Sequence, residues 1–231
     1  MERRDRFYGG LAVVVIILGM SIGCNPGSLS MLLMPFSSDK VQPRCKIASK
    51  DKHKEVTVAI VCSFAANVTR AELIAADQDL ADKLHQTLTK NFKDNKEKVK
   101  IVPPSKVRAY QNRIASQGVV SDQAIGKHFK VDYVISVDIT DLDLDVERTR
   151  ELFRGKIDLA VRALDLSKLK GEGQEIFEDN YTLLYPGLSQ VPFERSGTSP
   201  GQFRAQLMNR VARDLARWFS AVPQSKGLDM D

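Results

Sequence analysis

Between Glu55 and Phe64 the chain alternates with period two, and both faces of the alternation are apolar. Val56, Val58, Ile60, Cys62 and Phe64 fall on one side, Ala59 and Val61 on the other. A period of two is the mark of a strand, and a strand that is apolar on both sides is central in its sheet. That demand constrains the fold more than any other stretch, because the neighbours and cover for this strand must come from the residues that follow.

They do so in order. Thr69-Arg-Ala-Glu72 reads as a capping box, and Leu73, Ala76, Leu80, Leu84, Leu88 and Phe92 form the buried stripe of the helix behind it. His85 lies on the flank of that stripe. Lys98 to Val102 is a short strand stopped by Pro103-Pro104. Ser105 is read as the cap of a second helix lined by Val107, Tyr110 and Ile114, and Ser121 opens a shorter one with Ile125 and Phe129 inward.

Val131 to Thr140 alternates strictly through Val131, Tyr133, Ile135, Val137 and Ile139. The apolar phase then moves to Leu142, Leu144 and Val146. A one-residue change of phase within a strand predicts a β-bulge near Thr140–Asp141. Arg154 to Leu166 returns antiparallel, with Ile157, Leu159 and Val161 inside and Arg154, Lys156, Asp158 and Arg162 outside. Glu175 to Tyr185 adds a strand carrying Phe177, Tyr181, Leu183 and Tyr185 on one side. A long loop, Pro186 to Gly201, precedes a final helix that starts at Ser199-Pro200. Its stripe is Phe203, Leu207, Val211, Leu215, Trp218, Phe219 and Val222.

The expected fold is α+β: one domain of two or three layers, with a mixed sheet of about five strands in the order β-α-β-α-α-β-β-β-α and helices packed on it. Hydrophobic residues at 43% and charged residues at 27% exclude wholesale disorder. A net charge of +5 over 231 residues is too dilute to point to nucleic acid.

The amino-terminal end places the chain in a cell. Arg3, Arg4 and Arg6 precede an uncharged run from Leu11 to Met20, followed by Ser21, Ile22, Gly23 and Cys24. A positive start, a short apolar middle and a small-residue exit mark an export signal. Its end resembles a bacterial lipoprotein signal, in which the Cys is acylated and becomes the first residue, although Ser21 stands where Leu is usual. The other reading is an uncleaved anchor, since the uncharged run from Phe7 to Gly23 is near the lower limit for a span, about 17 residues. The expected division is a signal peptide at 1–23, a flexible basic tether at 24–54, the domain at 55–222 and a disordered tail at 223–231. The globular part is expected on the periplasmic side of a bacterial membrane, attached through a lipid such as palmitate on Cys24. In the tether, Lys40, Arg44, Lys46, Lys50, Lys52 and Lys54 read as a solvated linker, or as contacts to anionic headgroups at about 1 kcal/mol each. Met31-Leu-Leu-Met-Pro-Phe36 is an apolar patch that either enters the membrane interface or tucks onto the domain.

Motifs for chemistry are missing. Asp141-Leu-Asp-Leu-Asp145 lacks the Gly and Glu of a calcium loop, with Val146 and Leu152 at those places. It reads instead as a wet strand face opposite Arg154, Lys156 and Arg162. No His stands at zinc-ligand spacing from Cys45 or Cys62, and a bridge between these two is not favoured. A nucleophile needs a base within reach, and the only ones of the right kind are His53, His85 and His128; no nucleophile elbow, phosphate loop or zinc helix is present. No metal, cofactor or catalytic residue is expected.

Val56-Thr-Val-Ala-Ile60, the helix to Leu88, Lys100-Ile-Val-Pro103 and Ile125-Gly-x-x-Phe129-x-Val-Asp-Tyr-Val134 carry a resemblance. The chain resembles the envelope lipoproteins that share the curli-secretion-channel domain, the amino-terminal domain of the Tol translocation protein and the lipoprotein activators of penicillin-binding proteins. That group often has Gly after the Tyr-Val pair, where Ser136-Val137 stands here. The resemblance implies a non-catalytic module that binds another envelope protein or its own copies. Candidate contact residues are Tyr185, Pro186, Val191, Pro192 and Phe193 in the long loop, with the alternative that Phe193 folds back onto the core. The competing function is an envelope hydrolase or small-ligand-binding protein, which a pocket holding His128 beside a carboxylate would favour.

Overall fold

The computed structural model describes residues 40–47, 54–64, 73–114, 120–145, 151–167 and 173–223. Cys24, the apolar patch at Met31–Phe36 and the capping box at Thr69–Glu72 lie outside the described residues.

Five strands form one mixed sheet. They are β2 (Val56–Phe64), β3 (Val99–Ile101), β4 (Tyr133–Asp143), β6 (Gly155–Asp165) and β7 (Gln174–Tyr185), in the spatial order β3-β2-β4-β6-β7. β2 runs parallel to both β3 and β4, whereas β4, β6 and β7 are antiparallel in turn. The doubly apolar strand is therefore interior, as its sequence requires. Asp132 pins its start to β4, its Oδ2 accepting from Thr57 N at 2.8 Å and from Thr57 Oγ1 at 3.0 Å.

Among the described residues four helices cover the sheet: α1 (Ala76–Asp94), α2 (Pro104–Ile114), α3 (Asp122–Phe129) and α4 (Pro200–Phe219). α1 and α4 pack on the face bearing Val58, Ile60, Ile135, Val137, Leu159 and Val161, which forms the large core. α2 and α3 pack Val107 and Ile125 on the opposite face, against Ala59, Val61 and Val134. The result is three layers. Each helix presents one apolar stripe at the 3.6-residue period, so burying that stripe on the sheet is what holds it in place. Ser121 accepts from Ala124 N and α4 starts behind Ser199, as expected; Ser199 also closes a capping box with Gln202. α2 begins two residues early, at Pro104, leaving Ser105 inside the helix. Proline's fixed φ and missing N–H suit the first helical position.

The bulge falls where the phase changes. Ile139 pairs with Leu159 and Asp141 with Asp158, leaving Thr140 extra, and Thr140 Oγ1 donates to Asp158 O at 3.0 Å. Leu142 and Leu144 thereby return to the core face, 6% and 0% exposed.

Two short pairings sit outside the main sheet: β1 (Lys40–Val41) with β9 (Val222–Pro223), and β5 (Leu152–Phe153) with β8 (Phe193–Glu194). The first corrects part of the expected tether. Lys40 to Ile47 lies on the domain, with Cys45 N donating to Trp218 O at 2.8 Å and Ile47 1% exposed. The Arg44 guanidinium stands over the Trp218 ring at 4.6 Å and pairs with Asp179 at 2.8 Å. Val41, Cys45 and Ile47 are the apolar positions of this stretch; the surrounding cations conceal them in a reading based on charge.

Candidate functional site

The long loop after β7 is built, not loose. Its first peptide, Tyr185–Pro186, is cis, and Pro186 is buried. Gln190 N donates to Gly187 O at 3.0 Å, closing a tight turn, and Arg154 Nη2 donates to Gln190 O at 2.8 Å. Arg154 was expected on the wet face of β6. It is 8% exposed instead, because a loop carbonyl distant in sequence supplies its acceptor. Farther along, β8 pairs with β5, and Arg195 N donates to Glu151 O at 2.8 Å. The Arg195 side chain pairs with Asp145 and lies 4.2 Å above the Phe153 ring.

Aromatic rings anchor the loop from below. Phe203 of α4 stacks on Phe153 at 4.9 Å and meets Phe193 at 5.5 Å, while Tyr185 stands 5.7 Å from Phe193. Tyr185 and Phe193 therefore point to the core, and Pro192 is half-buried. Of the five contact residues read from the sequence, Val191 alone is freely exposed, at 84%; it has a companion in Leu188, at 79%. Leu188 was missed because it stands singly between Gly187 and Ser189, where apolar periodicity cannot register. The geometry is a fixed platform that holds two aliphatic side chains in water.

A second feature lies on the large-core side, between α1 and α4. A groove of about 460 Å³ runs between Gln86 and Lys90 on one wall and Arg210, Arg213 and Arg217 on the other, and Val222 also lines it. Asp214 is its one carboxylate. It accepts from Tyr181 Oη at 2.8 Å and from Arg210 Nε at 3.1 Å, and Arg217 Nη1 is 3.9 Å away. Burial, and then the charge of Asp214, push the Tyr181 phenol far up, so it remains a donor.

The remaining candidates are structural. His128 stacks on Tyr110 at 3.8 Å and meets Phe129 edge-on at 4.7 Å; no carboxylate bonds to it among the described residues. Of the acidic run, Asp141 pairs with Lys156 at 3.6 Å, Asp145 pairs with Arg195, and Asp143 accepts from Asp145 N at 2.9 Å. Arg162 turns to Asp138 at 2.8 Å and Asp122 at 3.8 Å. Asp122 is held above the usual carboxylate range by burial, against the lowering effect of Ser136 and Arg162. Among the described residues no group of His, Cys, Asp and Glu is arranged to hold a metal. Cys45 and Cys62 are free and buried, and burial pushes both thiols up, that of Cys62 with added repulsion from Asp77, Asp138 and Asp82.

His85 gives a pH signature. Burial lowers its pKa below the ordinary 6.5, more than the charge of Asp82 raises it. A His depressed in the folded state binds protons more readily once unfolded, so stability falls as pH drops through 6.5. Urea unfolding at pH 8 and at pH 5.5 is expected to show that fall, and His85→Gln is expected to lessen it. An identical pH dependence in the variant would remove His85 from the account.

No protein-family model matches the sequence, and no curated protein matches it. Among solved structures the fold is similar to that of a hypothetical protein from Chlamydia trachomatis, at 10% identity and TM-score 0.45, over 71% of this chain and 98% of that one. It is similar also to a lipoprotein from Neisseria meningitidis, at 11% identity and TM-score 0.42, over 70% of this chain and 98% of that one. A third is the C-terminal domain of LpoB from Salmonella enterica, at 10% identity and TM-score 0.32, over 59% of this chain and 87% of that one. Likeness at this level fixes neither a family nor a function.

Proposed function

We propose that this chain is a membrane-anchored envelope lipoprotein whose domain is a non-catalytic binding module for another envelope protein. The observation that carries the binding role is the pinned loop with Leu188 and Val191 projecting from it. Apolar side chains held on a rigid support lose little conformational freedom when a partner covers them, which is what makes an effective contact. The anchor rests on the run from Leu11 to Cys24 and its positive flank, with the lipid on Cys24 and the domain on the periplasmic side. The competing reading, an envelope hydrolase or small-ligand-binding protein, would be favoured by His128 in a pocket beside a carboxylate. The imidazole is instead stacked on Tyr110, which weighs against it.

The test uses the full chain in its own membranes, with a photo-crosslinking residue in place of Val191 and, as a control, in place of Glu178 on the opposite face of β7. A defined crosslink to another envelope protein from position 191, absent from position 178 and lost with Leu188→Asp, is expected. Crosslinking to its own copies alone would convert the module to a self-assembling one. Equal products from both positions would sink the loop as a contact. The amino-terminal peptide of the same preparation is expected to begin at Cys24 with acyl mass; a chain starting at Met1 would sink the lipoprotein.

A further inference from the structure

The groove between α1 and α4 carries an unbalanced charge. Its cations are Lys90, Arg210, Arg213 and Arg217, against Asp214 alone. Asp214 is already committed to Arg210 and Arg217, and Tyr181 donates to it from beneath. Lys90 and Arg213 are exposed, and neither has an ion-pair partner among the described residues. These two uncompensated cations thus face one cavity from opposite walls, and they come from different helices. Like charges across a gap repel, and nothing in the packing of α1 on α4 requires them there. The volume, about 460 Å³, suits a small ligand or headgroup.

We propose that this groove binds a phosphate group. Asp214 holds the flanking Arg210 side chain by its Nε, which leaves the terminal nitrogens of that guanidinium to donate elsewhere. Arg213 and Lys90 supply the net positive charge, and the carboxamides of Gln86 and Asn209 add neutral donors at the rim. The Coulomb attraction of two unpaired cations favours an anion, and the fork of a guanidinium matches phosphate oxygens. A phosphate in this place has two sources, a soluble phosphorylated compound or a phospholipid headgroup. The chain path bears on the second. Val222 lines the groove and pairs with Val41, so Lys40–Val41, the described residues nearest to Cys24 in sequence, lie beside it. That proximity is independent of the loop and of any protein partner.

The test measures how fast an amine reagent labels Lys90 in the full chain, held in neutral detergent, with Lys106 of α2 as the control on the opposite layer. Inorganic pyrophosphate is one probe; phosphatidylglycerol doped into the micelles is the other, with phosphatidylcholine as its neutral counterpart. Slowing of Lys90 labelling by roughly tenfold at a probe concentration about ten times the dissociation constant is expected, with Lys106 unchanged. Arg213→Gln, an exposed change that leaves the unfolding midpoint where it was, is expected to abolish the protection. Protection by pyrophosphate alone assigns the site to a soluble phosphate; protection by phosphatidylglycerol and not phosphatidylcholine assigns it to a headgroup. No protection by either probe, equal protection of Lys106, or protection that survives Arg213→Gln would each overturn the proposal.

Discussion

Phe203→Ala is expected to destabilise the domain by about 3–5 kcal/mol, the range for emptying a buried aromatic site. Phe203 is fully buried and stands where three parts of the fold meet: its ring lies on Phe153 at 4.9 Å and 8°, near Tyr185 at 6.2 Å and Phe193 at 5.5 Å. The neighbouring rings are held by strand pairing on β5, β7 and β8, so they cannot collapse into the vacancy, and the cavity term is retained. The measurement is the urea midpoint and slope. A second readout separates the loop from the core: proteolysis between Gly187 and Gly197 is expected to accelerate in the variant beyond what its global stability predicts. Phe203→Leu keeps most of the volume and is expected to lose distinctly less. An alanine variant within about 1 kcal/mol of the parent would show that the rings do not anchor the loop.

Gly155→Val is expected to destabilise by about 3 kcal/mol through overpacking. A Cβ at Gly155 would stand 2.9 Å from Leu207 Cδ2, 3.1 Å from Phe203 Cε1 and 3.5 Å from Asp143 O. Leu207 and Phe203 are both 0% exposed, so neither can swing aside, and valine adds two further methyl groups to the clash. The absent side chain lets α4 lie close on the start of β6. Leu207→Ala in the same chain opens the space that valine needs, so the double variant is expected to be more stable than the sum of the two single losses predicts. Strict additivity would show that the clash is not the cause. Gly126 is the instructive contrast. Its added Cβ would fall 2.0 Å from Leu166 Cδ1 and 3.0 Å from Val134 Cγ2, so the nearest obstruction there is the end of a half-buried side chain and not of a fully buried one.

Where the proposed contacts lie was only partly legible in the chain. The long loop announced itself by length and by its Pro and Gly content, yet which of its residues face water did not. Tyr185 and Phe193 are as apolar in sequence as Val191; they turn inward because Phe153 and Phe203, from other elements, offer rings to stack on. The basic groove was less legible still. Arg210, Arg213 and Arg217 could be placed off the buried stripe of α4, but Lys90 lies more than a hundred residues earlier, on a different helix.

What the sequence determined by itself is what repeats over a few residues. Period-two alternation set the strands and put β2 in the interior; the stripes of α1 and α4, the caps at Ser121 and Ser199, and the bulge at Thr140 all follow from local spacing, because backbone geometry ties each period to one face. Tertiary structure alone decided the fates of groups whose partners are remote. Arg154 is buried because Gln190 presents a carbonyl, Ile47 because Lys40 to Ile47 folds onto the helix ending at Phe219, and Lys90 faces Arg213 because two helices share one side of the sheet. A polar or charged side chain carries no period of its own; it goes where a complementary group has been placed, and only the folded chain places it.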